Sequence, residues 1–177
     1  YTVTRAQARD DYIWANVTWV ENGRSLQRII FFQQDSNHLR RVPTAPGYWG
    51  ERENGRYKWG TLSYPEIDEP FVDAIAAAIS KLVDEACAAQ CIAIQIPFTF
   101  NITTDVSRTA AANSVHLPSP RLVALDENGK LARRYQEYLR QVITDYLTPA
   151  TIRFALPPPE LSPGQHLLNY EQVAAEF

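Results

Sequence analysis

Methionine is absent from this 177-residue chain, cysteine occurs twice, histidine three times and glycine only seven times. Each scarcity removes a class of chemistry. Two cysteines, Cys87 and Cys91, with no histidine beside them do not make a zinc site, nor do they supply a disulfide framework. Buried free thiols are one reading of the pair; a disulfide, if a helix ends between them, is the other. So few glycines leave no Gly-rich phosphate loop. His38, His116 and His166 stand in no HxH or HExxH pattern and are expected at the surface. Ser107, Ser114 and Ser119 occupy no nucleophile-elbow sequence, so covalent catalysis finds no support. There is no run of 18 apolar residues, so no membrane-spanning helix is expected. No charged-then-apolar signal segment opens the chain, and Tyr1 in first place is what a cleaved leader or a trimmed chain would leave. No cofactor and no metal is expected. Glu66, Asp68 and Glu69 form an acidic group, but a helix start accounts for the last two more simply.

What is present is an ordinary globular composition, 45% hydrophobic and 21% charged with a net charge of −3, which argues against disorder. The length suits one domain. Basic residues predominate over 1–62 and acidic ones over 63–105. Solvated surface explains that asymmetry, and attraction between patches on like subunits is the alternative. Arg133, Arg134 and Arg140, with Lys130 and Arg121, are the candidate phosphate contacts. Net acidity and the lack of a reader motif argue against a nucleic-acid partner.

The organising stretch runs from Pro70 to Ile102. Val72, Ile75, Ile79, Leu82, Val83 and Ala86 recur at helical spacing, and Asp68, Glu69 and Pro70 suit the helix start. From Ile92 to Ile102 every second residue is apolar, which predicts a long strand. Pro97 lacks an N–H, so there the strand must lie on an edge or bulge.

Upstream, Asn22–Gly23 offers the two positive-φ positions of a type I′ hairpin. A two-residue turn there sets Trp19 opposite Leu26, Val17 opposite Arg28, Ala15 opposite Ile30 and Ile13 opposite Phe32. Seven of those eight residues are apolar and all share one face. The opposite face, with Trp14 opposite Phe31, Asn16 opposite Ile29 and Thr18 opposite Gln27, is half apolar and expected to be partly covered. Gln33–Gly47 reads as a long loop. Asn54–Gly55 predicts a second, projecting hairpin that carries Tyr48, Trp49, Tyr57 and Trp59, either as a stacking surface or as core. Asn16-Val17-Thr18 and Asn101-Ile102-Thr103 match the glycosylation pattern, but both fall in predicted strands.

Downstream, Asp105–Pro120 reads as a long loop and Leu122–Leu125 as a short strand. Leu131, Tyr135, Leu139, Val142 and Ile143 mark a second helix ended by Pro149, and Thr151–Leu156 alternates as a strand. Pro157–Pro159 then stiffens the chain ahead of Leu167, Leu168, Tyr170, Val173 and Phe177, an apolar stripe on a short helical segment.

The expected architecture is α+β: a mostly antiparallel sheet with two main helices packed on one face over 1–156, and an extended C-terminal arm over 157–177. The function expected from it is a non-enzymatic structural or assembly subunit, of virion, tail or surface-appendage type. Such a subunit would self-associate or dock on a partner protein through an edge strand, loops and the arm. The alternative is an extracytoplasmic binding module using Tyr48, Trp49, Tyr57 and Trp59 for a glycan or peptide. A small enzyme, with His38 or His116 beside a carboxylate, ranks third.

Overall fold

Asn22 and Gly23 both adopt left-handed conformations, with φ of 51° and 74°. The turn they make fixes the register of the first sheet. In the computed structural model, which describes residues 1–36, 38–90, 98–104 and 114–155, β2 (Tyr12–Glu21) pairs antiparallel with β3 (Arg24–Asp35). Trp19 faces Leu26, Val17 faces Arg28, Ala15 faces Ile30 and Ile13 faces Phe32, as the turn chemistry requires. On the outer side of β2 lies β1 (Thr2–Arg9), a largely polar strand held in place by that pairing. Beyond β3 lies β4 (His38–Val42), so Gln33–Gly47 is not one long loop. Cross-strand pairing with Phe31–Asp35 holds the polar segment His38–Arg41 extended.

The second sheet comprises β5 (Arg52–Tyr57), β6 (Gly60–Pro65), β7 (Phe98–Thr103) and β8 (Ser114–Pro118), in that order. Its hairpin does not turn at Asn54–Gly55. Both residues lie inside β5, and the chain reverses between Tyr57 and Gly60. Gly55 is needed for a different reason: a Cβ there would lie 2.8 Å from the Tyr57 ring, which crosses the strand at that point. Gly60 carries the positive φ, 142°, and a Cβ on it would run into the Phe98 carbonyl. This hairpin is built into the sheet and does not project.

A short 3-10 turn (Glu66–Asp68) leads into α1 (Glu69–Gln90), the helix anticipated from its apolar stripe. Helix α1 joins β6 to β7, and the two strands run parallel, as a helical crossover requires. Strand β7 is thus interior, flanked by β6 and β8, not an edge. Its alternation survives in part: Phe98, Phe100 and Ile102 are buried. The proposed earlier part of that strand, including Pro97, lies outside the described residues. The supposed loop 105–120 ends in β8, which pairs parallel with β7. Ser119 and Pro120 then start a four-residue helix, α2 (Pro120–Val123), where a strand was expected. The Ser119 side chain accepts from the Arg121 N–H, a capping role that the following proline reinforces. A two-residue strand, β9 (Leu125–Asp126), pairs with Leu26 and Gln27 of β3.

Helix α3 (Arg133–Ala155) continues through Pro149, and Thr151–Ala155 is helical rather than extended. One internal proline removes one backbone hydrogen bond, which a long helix survives. Three alternating apolar residues were too few to decide between periods of 2 and 3.6. The described residues thus form an α+β fold, with its strands divided between two sheets.

Helices α1 and α3 bury one shared face against the second sheet. Ile75, Ile79 and Val83 meet Tyr135, Leu139 and Ile143 over Leu62, Phe100, Val115 and Leu117. A second, smaller cluster joins Ile29 and Phe31 to Ala45 and Trp49. A third sets Leu26 against Ala124 and Ala132.

Candidate functional site

Two features stand out once the side chains are in place: the outward face of the first sheet, and a buried polar cluster beneath its other face. Strand alternation sorts the first sheet cleanly. Tyr12, Trp14, Ile29, Phe31 and Val42 point to the body and join the second cluster. This is the half-apolar face. The richer face, with Val3, Ala6, Ala8, Ile13, Ala15, Val17, Ile30, Phe32 and Leu39 by register, points the other way. Among the described residues, none of these nine belongs to any of the three core clusters, although Ala15 and Val17 are buried and Trp19 and Leu26, on the same face near the turn, join the third cluster. Val3 and Leu39 are 60% and 58% exposed. Near the turn the same face is partly roofed by its own side chains, where the Arg28 guanidinium lies 5.6 Å from the Tyr1 ring and 5.3 Å from Trp19. All eight residues of β1 are exposed, and the strand closes one edge of the sheet. Arg5, Arg9 and a register shift between Val3 and Arg5 partly blunt that edge.

Beneath the opposite face lies Asp68, 0% exposed, at the end of the 3-10 turn. It does not serve as a solvent-facing acid at the helix start. Ser119 Oγ donates to its Oδ1 at 3.0 Å, and Arg121 Nε stands 3.3 Å from the same oxygen. Its Oδ2 is buried and has no hydrogen-bond partner among the described residues. Burial drives the Asp68 pKa up from 3.8 to about 6, against the opposing pull of Ser119 and Arg121. Arg121 also donates from Nε and Nη2 to the Ile67 carbonyl, at 3.2 and 2.8 Å, and lies 5.0 Å over the Phe71 ring. Burial raises the Tyr48 pKa, and the nearby Arg121 guanidinium partly offsets the rise. No spacing rule links residues 48, 68, 119 and 121, so the cluster was invisible as a motif. The one local cue was Ser119-Pro120, a helix-start pair.

The four aromatic residues singled out from sequence do not form one platform. Tyr48 packs edge-on against Trp49, with ring centres 5.0 Å apart, and both meet Phe31. Tyr57 instead stacks on Trp59 at 4.9 Å in the main core, where Trp59 meets Phe100. Trp49 and Trp59 are 8% and 7% exposed, and each indole N–H is satisfied inside the protein, by Thr44 and Ser80. Leu167, Leu168, Tyr170, Val173 and Phe177 lie outside the described residues, as do Cys91 and His166. His38 is exposed at the start of β4. His116 meets Ser114 Oγ at 3.3 Å, while its Nδ1 is buried without a partner among the described residues. Among the described residues, no group meets that ring through Nδ1 in the way a third member orients the base of an activated nucleophile.

No protein-family model matches this chain, and no curated protein or solved structure is significantly similar to it. Among the described residues, no three His, Cys, Asp or Glu side chains are grouped to hold a metal ion. No described helix is long and apolar enough to cross a membrane.

Proposed function

We propose that this chain is a non-enzymatic assembly subunit that associates with copies of itself through the first sheet. The observation that supports this reading is the sorting of that sheet. Nine residues of its more apolar face stand outside the three core clusters, although Trp19 and Leu26 near the turn join the third and Ala15 and Val17 are buried, and beside them runs an edge strand whose residues are all exposed. Apolar surface removed from water stabilises by about 25 cal/mol per Å², so covering such a face favours association without any enzymatic role. Strand addition at β1 would extend the antiparallel ladder and satisfy its free N–H and C=O groups. The edge used is therefore β1, since Phe98–Thr103 of the strand that sequence periodicity suggested is paired on both sides. Virion, tail or appendage assembly is the setting in which such a subunit operates.

Light scattering across a concentration series tests the reading on the full chain, on an Ile30→Lys variant and on a chain lacking residues 157–177. Ile30 is partly exposed and belongs to no core cluster, so the lysine leaves the fold intact while charging the sheet face. The expected result is a dimer or larger species for the full chain that Ile30→Lys dissociates. If the truncated chain alone falls to monomer, the arm carries the association instead of the sheet. A full chain that stays monomeric at millimolar concentration refutes the proposal.

A further inference from the structure

We propose that the cleft between the first sheet and the Arg121–Tyr48 layer binds a small organic oxyanion, a carboxylate or phosphate head on a flat apolar body. This inference is independent of the assembly reading, because it uses the inner face of the sheet. The cleft is a cavity of about 250 Å³. Its roof is one patch of that inner face, Arg5 and Gln7 from β1 with Trp14 and Asn16 from β2. Its floor is Tyr48 and Arg121, with Ile29 and Ile67 completing the apolar lining. A second cavity of about 200 Å³ shares Asn16, Ile29, Tyr48 and Arg121 with the first, so the two adjoin. Among the described residues, no acid lines either space, and the first has both Arg5 and Arg121 in its lining.

The chemistry of the lining selects the ligand. A guanidinium has five N–H donors in a rigid fork that matches a carboxylate or phosphate. Arg121 directs its Nε and Nη2 at Ile67 and Asp68 and also meets the Tyr48 hydroxyl, so the rest of its donor fork and its charge face the cleft. Those contacts and the Phe71 ring beneath fix its plane, so little side-chain entropy is lost when an anion arrives. The Asp68 carboxylate balances the Arg121 charge, and Arg5 supplies the excess positive charge that draws an anion in. Asn16 and Gln7 offer amide donors at the rim, while Trp14, Tyr48 and Ile29 offer flat apolar surface for the body of the ligand.

Benzoate is the probe, with benzamide as its neutral counterpart and phenyl phosphate as the second anion. Each is titrated into the full chain while the Trp14 indole and backbone amide resonances are followed. A fragment of this size binds with a dissociation constant of order 1 mM. Benzoate or phenyl phosphate is expected to saturate near that concentration and to bind at least about fivefold more tightly than benzamide. The tighter of the two anions identifies the head group. Arg5→Gln changes an exposed strand residue, leaves the fold intact and is expected to weaken the anion at least about fivefold. Arg121→Gln is expected to abolish saturation in a chain whose circular dichroism is unchanged. Equal binding of benzoate and benzamide, or anion binding unaltered by Arg5→Gln, overturns the proposal. No saturation by either anion up to about 20 mM, well above the expected constant, overturns it as well.

Discussion

Replacing Asp68 by asparagine removes a buried charge while keeping the shape and the acceptor that Ser119 uses, and its effect should depend on pH. The Asp68 pKa lies at about 6 in the folded protein against 3.8 for the free group. One unit is worth 1.36 kcal/mol, so the folded state loses about 3 kcal/mol as the carboxyl ionises. The sign follows from the direction of the shift. The folded state holds the proton more tightly than the unfolded chain. The stabilisation is therefore complete below pH 3.8 and is lost as pH rises through about 6. Between about pH 4 and about pH 7.5 this amounts to about 2.5 kcal/mol. Urea unfolding of the native chain and of Asp68→Asn across that range isolates the effect, because the other carboxylates cancel in the difference. The native chain should lose about 2.5 kcal/mol relative to the variant. Parallel profiles would refute the burial argument. A native chain that gains on the variant with rising pH would mean that the Arg121 ion pair outweighs desolvation at this site.

Three further substitutions test the packing. Gly60→Ala places a methyl group on the Phe98 carbonyl in a left-handed conformation, and should lower unfolding stability by at least about 3 kcal/mol in urea. Gly23→Ala meets open space at φ of 74° and should lose only about 1–2 kcal/mol. Tyr135→Phe deletes a buried hydroxyl that donates to the Pro118 carbonyl at 2.9 Å, tying α3 to β8. It should cost about 1–2 kcal/mol by the same assay, and a neutral result would mean that the carbonyl finds another donor.

How much of this was legible in the residues depended on how local the cause was. Asn22–Gly23 carries its own turn geometry, so the register of β2 and β3 could be written down residue by residue. The stripe from Val72 to Val83 likewise declares a helix without outside help. Asn54–Gly55 carries the same two letters but is extended, because Tyr57 needs the space above Gly55 and Gly60 takes the turn against Phe98. That contact spans the whole of α1. Ser114–Pro118 looks polar and loop-like, yet Val115 and Leu117 are core residues once β7 lies alongside. Pairing of this kind is set by a distant strand, not by the segment itself. The register of the first sheet was readable, whereas which face meets the core was not, since that choice rests on Trp49, Ala45 and Leu122 arriving from elsewhere.

Strand β3 shows what such distant arrivals imply. One of its edges lies along β2, and the other is shared between β4 at Phe31–Asp35 and β9 at Leu26–Gln27. The residue beside Asp126 in β9, Leu125, is anchored in the main core under the two helices. A fragment cut anywhere before residue 125 would strip Leu26 and Gln27 of their neighbour and open the backbone there to water. The amino-terminal hairpins are therefore poor candidates for excision as a free-standing piece. Dissection of this chain should keep 1–143 together, so that the strand borrowed from the far end stays in its seat.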